Sequence, residues 1–346
     1  MLRISFINVG YGDAILIEEL MDSRRVFSML VDGGVPYVDS YRASYDLRPS
    51  RIPAFRYLAG KGIDALDAVF LTHFHIDHVG GLPEVAENRA IRQLWLNFSL
   101  TEHERLASLN ARELSAGSAS EQATANEMRL SLNLLAETER IARARGARVE
   151  RLGGARRVVA LSDDLNAEFF EADPALSART ERLVAEILSP DTETVRVQRA
   201  LAQLDSIQNA AGVALRLSYR GRRVLLPADV PAIRWSSGAW GTEELRADVV
   251  KLAHHGQADS MTKELVAKIQ PRHAVISVSE DNPFGAPSPA VFDMFDPGVE
   301  FWTTESIEVP PRAPGLTPRL ARGPARQALI FEIHSDGDIR ASLDRA

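Results

Sequence analysis

Of the eight histidines in this 346-residue chain, three (His73, His75 and His78) fall within six residues, beside Asp77. In extended backbone, positions i and i+2 project to the same side, so His73 and His75 can point at one cation. The chain must then turn, and Asp77 with His78 would present a second set of ligands. Gly80 and Gly81 permit that turn and a close approach of the segment that follows. Neutral imidazole and carboxylate suit Zn, Mn or Fe, and two adjacent ligand sets point to two ions roughly 3.5–4 Å apart. A solvated histidine-rich loop is the alternative, but four metal-type ligands at the end of one apolar run weigh against it. His254-His255-Gly256 follows a second apolar run and adds two candidate ligands. His103 lies in a polar helical pattern and reads as solvated, while His273 and His334 read as structural.

The elements that must position these groups are legible around them. Ala68–Leu71 is a short continuous apolar run, the mark of a buried strand. Upstream, Leu2–Asn8 and Ala14–Glu18 read as strands split by Gly10-Tyr11-Gly12-Asp13, and Val26–Val31 as a third strand stopped by Asp32-Gly33-Gly34. Asp13 and Asp32 thus fall in strand-end loops, either as turn residues or as groups behind the ligands that orient imidazole N–H groups. Further strands are expected at Arg92–Asn97, Arg156–Leu161, Ala167–Phe170, Val249–Ala253 and Ala274–Val278. Hairpins are expected from Val213–Leu217 with Arg223–Leu226 and from Ala328–His334 with Ile339–Leu343. Helices are expected near Ala54–Ala59, Pro83–Asn88, Ala175–Leu188, Thr194–Asp205 and Thr262–Ile269. Between Thr101 and about Arg145, Leu130, Leu134, Leu135 and Ile141 recur near helical spacing. That segment reads as two helices broken at Ala116-Gly117-Ser118. The whole is a mixed α/β protein, one large domain over 1–346 with a helical insertion at about 101–145.

Composition narrows the chemistry further. With 45% apolar and 25% charged residues the chain is globular. The absence of cysteine excludes disulfides, thiolate metal sites and thiol nucleophiles. A net charge of −7 excludes a globally basic nucleic-acid coat, so any polyanion must be met by a local patch or by metal ions. The N-terminus alternates like a strand and lacks a leader's apolar block, and no run is long enough to span a membrane, so a cytoplasmic location is expected. Arg220, Arg222 and Arg223 in a hairpin, and Arg312, Arg319, Arg322 and Arg326 in the Pro/Arg-rich 307–326 loop, could grip phosphates, although solvated charge is the commoner role. Simple alternation along the strand that ends near Ala253 puts Lys251 and His254 on opposite faces, which makes Lys251 a doubtful site residue.

Thr72-His73-Phe74-His75-Ile76-Asp77-His78-Val79-Gly80-Gly81 resembles the signature of the metallo-β-lactamase superfamily. Within it, the closest pattern is that of the hydrolase domain of the DNA-uptake competence protein ComEC and its standalone relatives. Asn8-Val9-Gly10-Tyr11-Gly12-Asp13-Ala14 is similar to that group's opening motif, with Tyr11 where Gln is usual. Leu30–Gly34 matches its first acidic motif, Arg223–Asp229 the strand that delivers a metal-bridging aspartate (Ala228 replacing Gly), and Val250–Gly256 its later histidine motif. Val275–Val278 and the Asn282-Pro283-Phe284-Gly285 segment are also similar. Two departures stand out. Ala286 occupies the place of a His before Pro287, and the superfamily's isolated histidine between the first cluster and Asp229 has no good equivalent, with Asn209 standing where the ComEC-like group often carries Asn.

The resemblance implies an αββα four-layer sandwich with two divalent ions, Zn or Mn, at its rim. Asp229 would bridge them. His73 and His75 would hold the first ion, and Asp77, His78 and one or both of His254 and His255 the second. Asp13, Asp32 and Asn209 would support the shell. With so few protein ligands, the first ion is expected to be weak or labile. The implied activity is hydrolysis of a phosphodiester by a metal-activated hydroxide, with Asp77 and Asp229 as catalytic carboxylates and DNA, RNA or a nucleotide as substrate. Hydrolysis of a carbon ester, lactone or amide is the alternative, as is a degenerate metal-binding subunit with a regulatory role. ComEC joins this domain to a membrane channel. This chain, with no channel segment, is expected to be a freestanding hydrolase or a subunit of a complex, with partner or substrate contacts at 101–145 and the late loop.

Overall fold

In the computed structural model, which describes residues 1–37, 41, 45–46, 48–152, 156–170, 173–236, 242–281, 284–307 and 327–344, the apolar runs assemble into two sheets. The first is built from β1 (Leu2–Ile7), β2 (Ile15–Met21), β3 (Arg24–Val31), β4 (Ala65–Leu71), β5 (Ala90–Leu96) and β6 (Arg148–Arg151). The second is built from β7 (Arg157–Ala160), β8 (Leu165–Phe170), β9 (Ala214–Tyr219), β10 (Arg222–Leu226), β11 (Val249–Lys251), β12 (His273–Ile276) and β13 (Glu300–Thr303). The C-terminal hairpin, β14 (Ala328–Ile333) and β15 (Ile339–Leu343), returns to the first sheet, whose order is β15-β14-β1-β2-β3-β4-β5-β6. The second runs β13-β12-β11-β10-β9-β8-β7.

Alternation along each strand divides its side chains between two cores. Leu2, Ile4 and Phe6 of β1, Phe70 of β4 and Val224 and Leu226 of β10 meet between the sheets. Val69 and Leu71 of β4 face outward, onto helices at Ala54–Gly60, Leu82–Asn88, His103–Asn110, Ala119–Ala144, Pro174–Leu188 and Thr194–Gln208. Leu225 and Val250 face the other way, onto Trp235, Leu265, Ile269 and Phe292 of the helices that cover the second sheet. Both sheets are therefore apolar on both faces, which is why their strands read as unbroken apolar runs. The result is the four-layer αββα sandwich.

Segment 101–145 holds the helix His103–Asn110 and a longer helix, Ala119–Ala144, whose start is fixed by a capping box between Ser118 and Glu121. Leu132 and Leu135 of the long helix are fully buried in the outer core, so this segment is a structural layer of the sandwich. Edge strands β6 and β13 were not expected from the sequence. Each is only four residues long: in β6 Arg148, Glu150 and Arg151 leave a single apolar residue, and β13 offers just Phe301 and Trp302. No helix among the described residues is long and apolar enough to cross a membrane.

Two parallel pairings set up the rim of the sandwich. β3 runs parallel to β4 with Val31 beside Phe70, so Asp32 and Thr72 emerge side by side. β10 runs parallel to β11 with Leu225 beside Val250, so the residues after Leu226 and after Lys251 leave the second sheet at the same edge.

Candidate metal centre

Beyond the end of β4, Thr72 and His73 lead into a single helical turn, Ile76–Val79, with His75 as its N-cap. This turn cannot be displaced by even one carbon atom. A Cβ on Gly12 (φ +113) would lie 2.2 Å from the Asp77 carbonyl oxygen, and one on Gly81 would lie 2.2 Å from that of Gly33. Only glycine permits such approaches, and they clamp the loops after β1 and β3 onto the Asp77-His78 turn. Asp13 N–H donates to the Asp77 carbonyl at 3.1 Å, and Gly33 N–H to that of His78 at 2.7 Å.

On the second sheet, Asp229 follows β10 and His255 follows β11. Ala228 takes φ 54, the left-handed conformation a glycine would adopt without strain. His254 and His255 are also left-handed, at φ 46 and 52. The tight turn they form sends the two rings in different directions. His254 Nδ1 meets Asp259 Oδ1 at 2.9 Å and its Nε2 meets the Asn209 amide nitrogen at 3.1 Å. His255 turns inward, fully buried.

Four groups from both sheets converge there: Asp13, His78, Asp229 and His255 are all buried and offer ligand atoms within 4.8 Å of one another. Asp77 joins them, with Oδ2 at 3.2 Å from His255 Nε2 and 3.6 Å from His78 Nε2. Asp229 Oδ2 lies 3.3 Å from the same nitrogen of each histidine. The tautomers follow from the partners. His255 Nδ1 lies 2.9 Å from the Ser277 carbonyl, which can only accept, so Nε2 carries the lone pair of the neutral ring. His78 Nδ1 lies 2.8 Å from Asp32 Oδ2 and leaves Nε2 in the same state. Both Nε2 atoms are buried and make no hydrogen bond among the described residues. Two imidazole lone pairs facing two carboxylates form a donor set that fits a divalent ion.

The electrostatics agree. Burial disfavours charge on His78 and His255, yet Asp229 and its neighbouring carboxylates overcome it, holding His78 well above the usual histidine range and pushing His255 up to about 9. Burial likewise works against the charged forms of Asp77 and Asp229. The attraction of His78 for Asp77, and of His255 and Lys251 for Asp229, nonetheless keeps both carboxyls below their ordinary values. A pocket that holds protons this firmly is one that favours any cation.

His73 and His75 form a second, adjoining pair. Thr72 Oγ1 donates to Asp32 at 2.8 Å and so accepts from His73 Nδ1 at 3.1 Å. His75 Nε2 donates to the Asp205 carbonyl at 3.1 Å. The remaining nitrogens, His73 Nε2 and His75 Nδ1, then face each other as lone pairs at 3.2 Å. That contact calls for a shared proton or a cation. Burial lowers the His73 pKa well below the ordinary histidine value, whereas at His75 burial is outweighed by Asp205, which raises the pKa, so a shared proton would rest on His75. Asn209 supplies a buried Oδ1 that makes no hydrogen bond among the described residues. The chain from Asn209 to Gly212 passes close to His73, with the Gly212 Cβ position 3.7 Å from the His73 Cβ.

Several positions differ from the expectations. Lys251 is fully buried, and its ammonium pairs with Asp13 and with Asp229 Oδ1 at 3.2 Å. Simple alternation misplaced it because β11 stops at Lys251 and the left-handed turn begins three residues later, at His254. Asp13 stands among the converging carboxylates, in direct contact with Lys251, rather than behind them. Arg220 and Arg222 are paired with Asp164 and Asp248 at the far end of β10 from Asp229. Arg312, Arg319, Arg322 and Arg326 lie outside the described residues, as do Asn282 and Pro283. Asp205 and Glu127, for which the sequence held no signal, flank His75. Burial raises the Glu127 pKa, with Asp77 and Asp205 adding to it.

Residues 7–120 match the metallo-beta-lactamase superfamily. Among solved structures, the chain is similar to a diphosphatase of the PhnP family, at 13% identity over 84% of this chain and 80% of that one, with a TM-score of 0.37. It is also similar to Zn2+-bound PqqB from Methylobacterium extorquens (10% identity, 79% and 88% covered, TM-score 0.37). A third likeness is to the short form of human tRNase Z (12% identity, 79% and 90% covered, TM-score 0.34). Among curated proteins, none matches the sequence significantly. The family match thus covers residues 7–120, and the two face-to-face sheets between helical layers match the metallo-beta-lactamase fold.

Proposed function

We propose that this protein is a metal-dependent phosphodiesterase acting on DNA, RNA or a nucleotide. The observation that carries the reading is the convergence of His78 Nε2 and His255 Nε2, both buried without hydrogen bonds among the described residues, on the carboxylates of Asp77 and Asp229. These four residues would hold one divalent ion, with Asp229 shared, and His73 Nε2, His75 Nδ1 and Asn209 Oδ1 would hold a second, weaker one. Zn and Mn both suit such ligands. Bound ions supply two things here: a water of lowered pKa, from 15.7 towards about 7, and positive charge for a phosphoryl oxygen.

The chain's own residues do the rest. Asp32 holds the His78 Nδ1–H and fixes the ring's direction, and the Ser277 carbonyl does the same for His255. Asp77 and Asp229 keep the pocket anionic, and Lys251 anchors Asp229 through Oδ1 so that Oδ2 faces the histidines. The order of the motifs around Asp13, Asp32, Asp77, Asp229 and His255 supports the phosphodiester reading, since it is similar to that of the ComEC-like hydrolases.

A carbon ester or lactone is the second reading, and one observation favours it. Glu127 and Asp205 place carboxylates beside His75 that repel a polyanion approaching from that side. The two are separated by assaying the protein, loaded with Mn or with Zn, on bis-p-nitrophenyl phosphate, single-stranded DNA and a lactone panel. Asp77→Ala and Asp229→Ala run alongside, with metal content measured. Phosphodiester cleavage that both substitutions abolish supports the proposal. Lactone turnover with no phosphodiester cleavage selects the second reading.

A further inference from the structure

Tyr11 and Phe284 lie against the His255 face of the metal centre and have no part in holding a metal. The Tyr11 ring centroid is 4.6 Å from that of His255 and 5.1 Å from that of Phe284. Gln257, which follows the His254-His255-Gly256 turn, donates to the Tyr11 hydroxyl at 3.3 Å and fixes the ring. Phe284 is 61% exposed, and no other phenylalanine is exposed among the described residues. The residues that follow it pack on the His254-His255-Gly256 turn. Ser288 N–H donates to the Gly256 carbonyl at 2.8 Å, and Pro287 packs so closely that a Cβ on Gly256 would lie 2.8 Å from it. Just before the loop, Asp281 is held by the buried Arg51 guanidinium at 2.5 Å. A largely exposed apolar ring, one aromatic neighbour away from a candidate ligand imidazole, is placed to receive a flat group.

We infer that Phe284, backed by Tyr11, is a stacking platform for a nucleobase adjoining the phosphate that is cleaved, an assignment that rests on the phosphodiesterase reading. Every base offers a π-face, so such a platform binds nucleic acid without selecting sequence. It supplies affinity that does not depend on basic side chains, which suits a protein of net charge −7.

The test compares kcat/KM for thymidylyl-thymidine with that for its abasic analogue, in which both bases are replaced by hydrogen. Phe284→Ala is expected to reduce the ratio of the two by roughly 5- to 100-fold, the range of one base–aromatic stack, with the loss in KM; Phe284→Trp is expected to keep the ratio. A second measurement does not require turnover. The fluorescence of Phe284→Trp, metal-loaded, is titrated with thymidine 5′-monophosphate and with ribose 5-phosphate, and saturable quenching by the nucleotide alone is expected. Should the protein cleave no phosphodiester, the function proposed above fails while this titration still decides the platform. An unchanged ratio in Phe284→Ala, or a titration in which nucleotide and sugar phosphate behave alike, overturns the inference.

Discussion

Lys251 Nζ lies 3.2 Å from Asp229 Oδ1, while Asp229 Oδ2 faces His78 and His255 at 3.3 Å. One carboxylate is thus divided between a fixed internal cation and the pocket. Burial opposes the charge on Lys251, but Asp13 and Asp229 push its pKa up to about 12, so it stays an ammonium. Replacing it by methionine removes the ammonium that pairs with Asp13 and leaves Asp229 with only the two imidazoles as counter-charge. Breaking a buried pair from one side costs about 3–5 kcal/mol. Urea denaturation of metal-free Lys251→Met should show a loss of that order, with part of it recovered on adding Mn. Equal stability of the two metal-free proteins would sink this account.

Asp32 is fully buried and binds three groups at once: Thr72 N–H, the Thr72 hydroxyl and His78 Nδ1, each at 2.8 Å. It also takes φ 58, a conformation asparagine tolerates. Asp32→Asn should therefore fold but hold His78 less firmly. Loss of such a supporting partner typically weakens metal affinity about 10- to 100-fold. Competition with a chromophoric chelator measures it, and an unaltered dissociation constant would rule out the orienting role.

The two proposed metal sites would differ in ligand supply. Asp77, His78, Asp229 and His255 would give one site two imidazoles and two carboxylates. His73 and His75 would have only the Asn209 amide oxygen and a share of Asp229 beside them. After dialysis against a chelator, elemental analysis should find fewer than two ions per chain. His255→Ala should remove the one retained, and His73→Ala should leave it in place. Two stoichiometric ions surviving dialysis in the wild type would contradict the ranking.

Away from the metals, Arg51 is buried to 1% exposure of its side chain and binds Glu305 at 2.6 Å and Asp281 at 2.5 Å. The Arg51 guanidinium holds the Asp281 carboxyl below its ordinary value of 3.8. A depressed folded-state pKa means that the stabilisation is complete above the unfolded value and is lost as pH falls through the folded one. Because Asp281 is half exposed, solvent screening keeps this contribution small. Wild type should thus lose slightly more stability than Arg51→Met between about pH 4 and 2. Parallel urea titrations over that window check it, and identical slopes would show that the pair contributes nothing.

The placement of the candidate ligands was largely legible in the sequence because groups at strand ends sit next to the apolar runs that place them. His73, His75, Asp77 and His78 follow β4, Asp32 follows β3, and Asp229 follows β10. The rest depended on backbone conformation and distance. Which of His254 and His255 turns inward is decided by two left-handed residues in succession, which a pattern of apolar and polar residues does not encode. Lys251 was misplaced because alternation fails where a strand becomes a turn. Asp205 reaches His75 from the end of a helix 130 residues away, and Tyr11 meets Phe284 across most of the chain. Neither pairing leaves a trace in local spacing.

The candidate ligand groups come from loops on both sheets, and His255 lies nearly three-quarters of the way along the chain. During synthesis, therefore, the proposed four-ligand pocket is incomplete until the later sheet has emerged and docked. If that pocket holds a metal, its capture would mark the completion of assembly. A protein truncated before residue 250 would keep its conspicuous histidine triplet and still be unable to charge itself.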